Sequence, residues 1–352
     1  VNFDAYRPVS RSVFWPVLLI GVGVVWLLSA LGVTDLPSGL ALLRGWPILL
    51  VAIGLDLIFG HRSTALSAMI AVAAILACVG LSTPNAASRS ATGVLRDEHF
   101  SAPLEGTRRA QVHLDLGSAH ARVHALSGGT QLLEAQIHDD RRIKFQDRGG
   151  ETRRLSLSHA RNLGPVQFDF FSDQGENRWD VGLSRAVPLE LTLDSGSGSV
   201  TLDLEAVQLD RLRVDSGSGS VDARLPGNRA YRVELDGGSG QARLRTAAGA
   251  ELDFRGDLGS GGLRLDLGQG SRGRIEVDMG SGMTEINTSG NPALRLELED
   301  GGSGRLDLPA GLERVSGDPD EKEGAWETPG FAQARERLTV VIDLGSGGLR
   351  IR

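Results

Sequence analysis

A pentapeptide of the form Asp-x-Gly-Ser-Gly occurs seven times, starting at Asp194, Asp215, Asp236, Asp257, Asp278, Asp300 and Asp343. The steps between copies are 21, 21, 21, 21, 22 and 43 residues, the last close to two periods. A fixed period in this range marks a stacked-repeat fold, because a unit that cannot bury its own apolar face must lean on the next. Around Gly196 the residues Leu189, Leu191 and Leu193 alternate with polar ones, and Val200, Leu202 and Leu204 do the same beyond the corner. Period-two alternation on both sides of a glycine corner predicts two half-buried strands per repeat. Asp115-Leu116-Gly117-Ser118-Ala119 is an eighth, worn copy. On that reading the 79 residues from Gly117 to Gly196 hold nearly four coils with degraded corners. The whole is then a rod of about 11 coils, roughly 50 Å long.

Alignment on the corners exposes columns. The residue before the Asp is Leu193, Val214, Leu235, Gly256, Val277, Glu299 or Ile342, an apolar column broken by Glu299. Two residues beyond the turn stand Val200, Val221, Ala242, Leu263, Thr284, Leu306 and Leu349. Two residues before the Asp, Arg213, Glu234, Arg255 and Glu276 alternate in sign; on the other strand Asp222 faces Arg243, and Arg264 faces Glu285. Opposite charges across neighbouring strands contribute about 0.2–1 kcal/mol per pair. The pattern therefore predicts parallel, in-register stacking: an all-β domain over 110–352, a β-solenoid of the single-stranded β-helix type with coils of 21 residues. An acidic, Pro-containing insertion at 310–337 interrupts it. A β-propeller would require odd and even hairpins to differ systematically, and the corner and core columns do not.

Residues 1–82 are of another kind. Three apolar stretches, 13–31, 46–59 and 64–82, predict a membrane domain of three transmembrane helices, the second short, followed by a linker or cap at 83–109. Trp15 and Trp26 suit the interfaces, and the succession of apolar stretches argues against a cleaved signal peptide. Arg7, Arg11 and Arg62 outweigh Arg44, which Asp35 offsets. Positive-inside counting then puts the N-terminus in the cytoplasm and, with three spans, the β domain outside. Two spans and a peripheral third helix would reverse this. Asp56 is read as an interfacial acid near Gly60, and the lone Cys78 as a buried structural thiol.

Phe14-Trp15-Pro16-Val17-Leu18-Leu19-Ile20-Gly21 and Trp46-Pro47-Ile48-Leu49-Leu50-Val51-Ala52-Ile53-Gly54 resemble the LiaI/LiaF-like membrane region of bacterial envelope-stress proteins. Asp56 departs from that pattern, standing where an apolar or aromatic residue is usual. The recurring Leu-x-Leu-Asp-x-Gly-Ser-Gly-x-aliphatic-x-Leu units resemble the adhesin-like, or toast-rack, β-strand-repeat domains that LiaF-type proteins carry after their membrane region. The resemblance implies a non-catalytic envelope protein, tied in some members to stress-response regulation. The expected partners are the lipid bilayer and other envelope proteins or a second copy. An adhesin-like or self-assembling surface protein is the alternative.

Seven stacked carboxylates repel one another unless something relieves them. One solution is a calcium ladder on Asp194, Asp215, Asp236, Asp257, Asp278, Asp300 and Asp343. The other is an Asx-turn, in which each Asp accepts the N–H two residues on. The second explains both the Asp and its fixed distance from glycine, and is preferred; no metal or cofactor is expected. His113, Asp115, His120 and His124, with His138, Asp139 and Asp140 further on, form the only histidine cluster, but lack zinc-ligand spacing. The corner serines have no repeated His or acid to activate them, and Gly268–Gly273 matches G-x-G-x-x-G without the helix a dinucleotide site needs. A net charge of −7 disfavours nucleic acid. No constellation indicates an enzyme or a small-molecule substrate. The last strand, 338–352, would leave an uncovered coil able to pair with another copy, unless the insertion folds over it.

Overall fold

The computed structural model describes residues 95–160, 177–318, 320 and 322–352; the spans at 13–31, 46–59 and 64–82, with Asp56 and Cys78, lie outside them. The first strands are β1 (Arg96–Pro103), β2 (Arg109–Gly117), β3 (His120–Ala125), β4 (Gln131–Asp139), β5 (Ile143–Arg148), β6 (Thr152–His159) and β7 (Arg178–Leu183). The regular repeats follow as β8 (Leu189–Ser195), β9 (Ser199–Asp203), β10 (Leu209–Ser216), β11 (Ser220–Leu225), β12 (Ala230–Gly237) and β13 (Gln241–Thr246). They continue as β14 (Glu251–Leu258), β15 (Gly262–Leu267), β16 (Arg272–Met279), β17 (Met283–Thr288), β18 (Ala293–Asp300) and β19 (Leu306–Asp307). The last are β20 (Glu313–Ser316), β21 (Gly324–Glu327), β22 (Arg337–Leu344) and β23 (Gly348–Ile351).

Each repeat places one strand in each of two sheets, ordered β1-β4-β7-β3-β9-β11-β13-β15-β17-β23-β19 and β20-β21-β18-β22-β16-β14-β12-β10-β8-β2-β6-β5. The repeats pair in parallel at the expected offset: Arg213 lies beside Glu234, Glu234 beside Arg255, and Arg255 beside Glu276. The inward side chains of both sheets form one continuous apolar core. On the other outer face Arg264 reaches Glu285 at 3.0 Å as expected. Asp222, however, takes its hydrogen bonds diagonally from Arg245 rather than from its direct neighbour Arg243.

The corner glycines are there for close approach. None between Gly196 and Gly282 in the Gly-Ser-Gly corners has a positive φ. A Cβ on Gly240 would instead overlap the carbonyl oxygen of Gly219 directly beneath it, and one on Gly238 would lie 2.6 Å from the oxygen of Gly217. The stack requires glycine because the strand spacing of about 4.8 Å brings backbone onto backbone. Gly256, the small residue of the core column, has a different cause: a Cβ there would sit 2.9 Å from the ring of buried Phe254.

Three expectations about the order of coils are overturned. First, Asp115 pairs directly with Asp194, so no coils stand between Gly117 and Gly196. Strands β6 and β7 instead extend the stack on the far side of β2 and β3, each pairing in parallel, and an antiparallel cap closes it, β4 and β1 on β7 in one sheet and β5 on β6 in the other, with Phe100 and Phe145 at 5.4 Å across its end. Eight coils carry the Asp corner; with the β6/β7 layer and the antiparallel end strands the two sheets reach 11 and 12 strands, about 50 Å along the stack. Arg96–Pro103, within the linker or cap expected at 83–109, is a strand of this cap. Second, the last coil in sequence is not an exposed end. β22 lies between β16 and β18, and β23 between β17 and β19. The insertion supplies β21 and β20, which pair antiparallel onto β18 and cover that edge of their sheet. Third, Glu299 does not break the apolar column. It is bulged out between Leu298 and Asp300, so that buried Leu298 pairs with Ile342 and the 22-residue step is absorbed.

Candidate functional site

The in-register pairing lines up eight carboxylates along one corner: Asp115, Asp194, Asp215, Asp236, Asp257, Asp278, Asp343 and Asp300, one per coil. The Asx-turn expected at each is found at one, where the Gly302 N–H donates to Asp300 Oδ1 at 2.7 Å. Elsewhere the glycine N–H is already used. Gly217 donates to the carbonyl of Ser195, Gly238 to that of Ser216, and Gly259 to that of Gly237, each at 2.9 Å. Inter-coil bonding takes precedence because each corner lies on a parallel ladder whose N–H groups must be satisfied. Only the bulged coil at Asp300 frees a donor for the side chain.

The carboxylates are therefore left with little compensation. Asp194 has His113 at 3.6 Å, whereas Asp215, Asp236, Asp257 and Asp278 make no hydrogen bond or ion pair with described residues. Burial raises the pKa of Asp194; His113 pulls it down, and Asp215 and Asp115 push it up. Burial likewise raises Asp343, helped by its neighbours Asp278 and Asp300. A calcium cage needs six to eight converging oxygens, whereas this ladder offers one carboxylate per coil. Among the described residues no three His, Cys, Asp or Glu side chains converge to hold a metal ion.

The histidine cluster is dispersed over both sheets. His113 faces out from β2, while His120 and His124 face out from β3 on the other sheet. His120 Nδ1 lies 2.6 Å from Ser199 Oγ, His124 Nδ1 3.2 Å from Asp180, and His138 Nδ1 2.7 Å from Asp97. The His120–Ser199 pair has no carboxylate behind the imidazole, so it lacks the third member of a nucleophilic relay. His120, Ser199, Asp180, His138 and Asp97, but not His124, line an open groove of about 660 Å³ on the outer face, together with Arg122, Gln136 and Arg178. The corner serines are exposed and carry no base, and Gly268–Gly273 spans the short turn from β15 to β16 with no helix.

A buried polar clasp went unnoticed in the sequence. Asp139 is 1% exposed and accepts hydrogen bonds from Trp179 Nε1 at 3.0 Å and the Arg141 backbone at 2.9 Å; His159 Nε2 lies 3.0 Å away. Burial alone would raise this carboxyl, but the hydrogen bonds from His159, Trp179 and Arg141 together hold it well below the usual range. The signal was available: Asp139 continues the inward alternation Leu133, Ala135, Ile137, and His159 continues Leu155, Leu157. The clasp ties β4 and β7 of one sheet to β6 of the other.

Two parallel sheets joined by glycine corners around one apolar core define a stacked β-repeat fold. Residues 14–89 match the LiaF transmembrane domain, and residues 91–245 match the N-terminal domain of toast_rack, DUF2154. The chain thus joins a LiaF-type transmembrane domain to a toast-rack domain. It is also similar to a crystal structure titled a "putative cell adhesion protein" from Clostridium sporogenes, at 17% identity over 73% of this chain and 98% of that chain, with a TM-score of 0.38. No curated protein matches it.

Proposed function

We propose that this chain is a membrane-anchored, non-catalytic module of the bacterial envelope, its β domain a solenoid displayed outside the cytoplasm to bind envelope-stress signalling components. The observation that carries the reading is the direct succession of a LiaF transmembrane match ending at 89 and a toast-rack match beginning at 91. The rigid stack supports it, because a capped core holds rows of charged side chains in fixed register, as a recognition surface requires. The last coil in sequence is interior and presents no free edge of its own. Cross-linking and affinity capture from native membranes, with alkaline phosphatase fusions after residue 90, test the proposal. Recovery of a sensor kinase or other envelope protein with an active fusion is expected. An inactive fusion, or capture of lipid alone, would refute it.

A further inference from the structure

The coil formed by β22 and β23 occupies a slot between coils that precede it in sequence: β16 and β17 on one side, β18 and β19 on the other. It is also among the most apolar coils. Leu338, Val340, Ile342, Leu344, Leu349 and Ile351 are each at most 2% exposed, and Val341, on the outer face, is 3% exposed. Corresponding core positions elsewhere hold Gly256, Ala242 and Thr284. Such a segment is strongly driven to be buried, at about 1.5–3 kcal/mol for each large apolar side chain.

Nothing in the slot distinguishes the chain that fills it. Leu338, Val340 and Ile342 lie between Gly273, Ile275 and Val277 on β16 and Leu294, Leu296 and Leu298 on β18, with Asp278, Asp343 and Asp300 in register, and the neutral Thr339 and Val341 separate Arg274 from Arg295 and Glu276 from Glu297. The connection permits exchange. Between Glu327, which ends β21, and Arg337, which starts β22, the chain crosses one 3-10 turn, Phe331–Gln333, that contributes no buried residue. Extended, this connection reaches about 30 Å. An exposed connection beside a well-buried element that an identical copy can supply equally well meets the requirement for exchange of segments between copies.

We propose that residues 337–352 are an exchangeable element: the segment of one copy fills the β16/β18 and β17/β19 slot of a second copy, giving a strand-exchanged dimer. The partner surface is the slot itself, and its occupant is a second copy of this chain. Glu276 and Val341 are register neighbours across the slot wall, and the strand spacing of about 4.8 Å falls within the Cα separation a disulfide spans. The test uses the full chain in detergent with Cys78→Ser, co-expressing one copy carrying only Glu276→Cys with another carrying only Val341→Cys. Oxidation should give an interchain, reductant-sensitive dimer, in about half of all dimers if copies mix at random. A single chain carrying both substitutions that closes only within itself, while the mixture gives no interchain bond, would overturn the proposal. Deletion of 329–333 provides a second measurement, since the shortened connection prevents return to the chain's own slot. Light scattering should then show the mass doubling relative to the parent, whereas a folded monomer counts against exchange. If that variant does not fold, the mixed-cysteine result decides.

Discussion

The column of aspartates makes a quantitative prediction about Asp236→Asn. Asp236 stands between Asp215 and Asp257 in register and has no compensating partner among the described residues. Two unit charges about 4.8 Å apart in a water-like dielectric repel by about 0.9 kcal/mol. Two such neighbours give about 1.7 kcal/mol, which a Debye length of about 8 Å at physiological salt reduces to about 1 kcal/mol. That is a ceiling for an exposed site, since side chains turn away and water screens them. Asp236→Asn should therefore raise the melting temperature of the β domain by about 2–4 °C in 0.15 M salt. In 1 M salt, where the Debye length is about 3 Å, the gain should fall to about a fifth of its unscreened value. Asp300→Asn, at the end of the column with Asp343 as its one carboxylate neighbour, should give about half as much. Differential scanning fluorimetry of the full chain in detergent at both salt concentrations measures this. A lowered melting temperature, or a gain indifferent to salt, would refute the repulsion argument. A loss seen only with calcium, and absent with chelator, would instead establish a cation on the column.

Further outcomes follow from the same contacts. Gly240→Ala should cost about 3 kcal/mol or more, because the overlapping atom is the backbone oxygen of Gly219 and cannot rotate aside; Gly128→Ala, with nothing within 4 Å, should stay within about 0.5 kcal/mol by urea unfolding. Gly256→Leu should destabilise alone and recover when paired with Phe254→Ala, a double-mutant cycle giving a coupling of about 1–3 kcal/mol; strict additivity would show that the ring is not the obstacle. Asp139→Ala should cost about 3 kcal/mol, since it leaves Trp179 Nε1 and His159 without their buried acceptor. The pH dependence has opposite signs at two places. Asp139 has a lowered pKa, so its stabilisation is present above the ordinary value of 3.8 and is lost as pH falls toward the folded value. Asp194 and Asp343 are raised, so they favour the folded state below 3.8, and that contribution is lost as pH rises through their folded values. Asp139→Asn should accordingly flatten the acid limb of the stability profile, while Asp194→Asn should add stability at neutral pH that disappears in acid.

Much of the fold was legible because every repeat carries its own structural instructions. Alternation at Leu189–Leu193 and Val200–Leu204 defines two strands, Gly-Ser-Gly defines the corner between them, and the sign changes Arg213, Glu234, Arg255, Glu276 define parallel register. The same regularity hides the order of coils. The core and corner columns of all coils are alike, so sequence adjacency does not reveal that Asp343 belongs between Asp278 and Asp300, where neutral Thr339 and Val341 separate the like charges of β16 and β18. Local reasoning also failed where a distant backbone competed. The glycine N–H that an Asx-turn would use is taken by the carbonyl of the adjacent coil, which brings the whole ladder with it. Asp139 was legible as an inward position and illegible as a buried acid, because its side-chain partners come from residues 20 and 40 positions away. By itself, then, the sequence determined the repeat, its two strands and its corners, all encoded within some 21 residues at a time, and through the apolar segments at 14–21 and 46–54 its likeness to LiaF-type proteins. Tertiary structure alone decided which coils touch, how the ends close and which carboxylates remain uncompensated, because those outcomes depend on competition among equivalent surfaces that a single repeat cannot express.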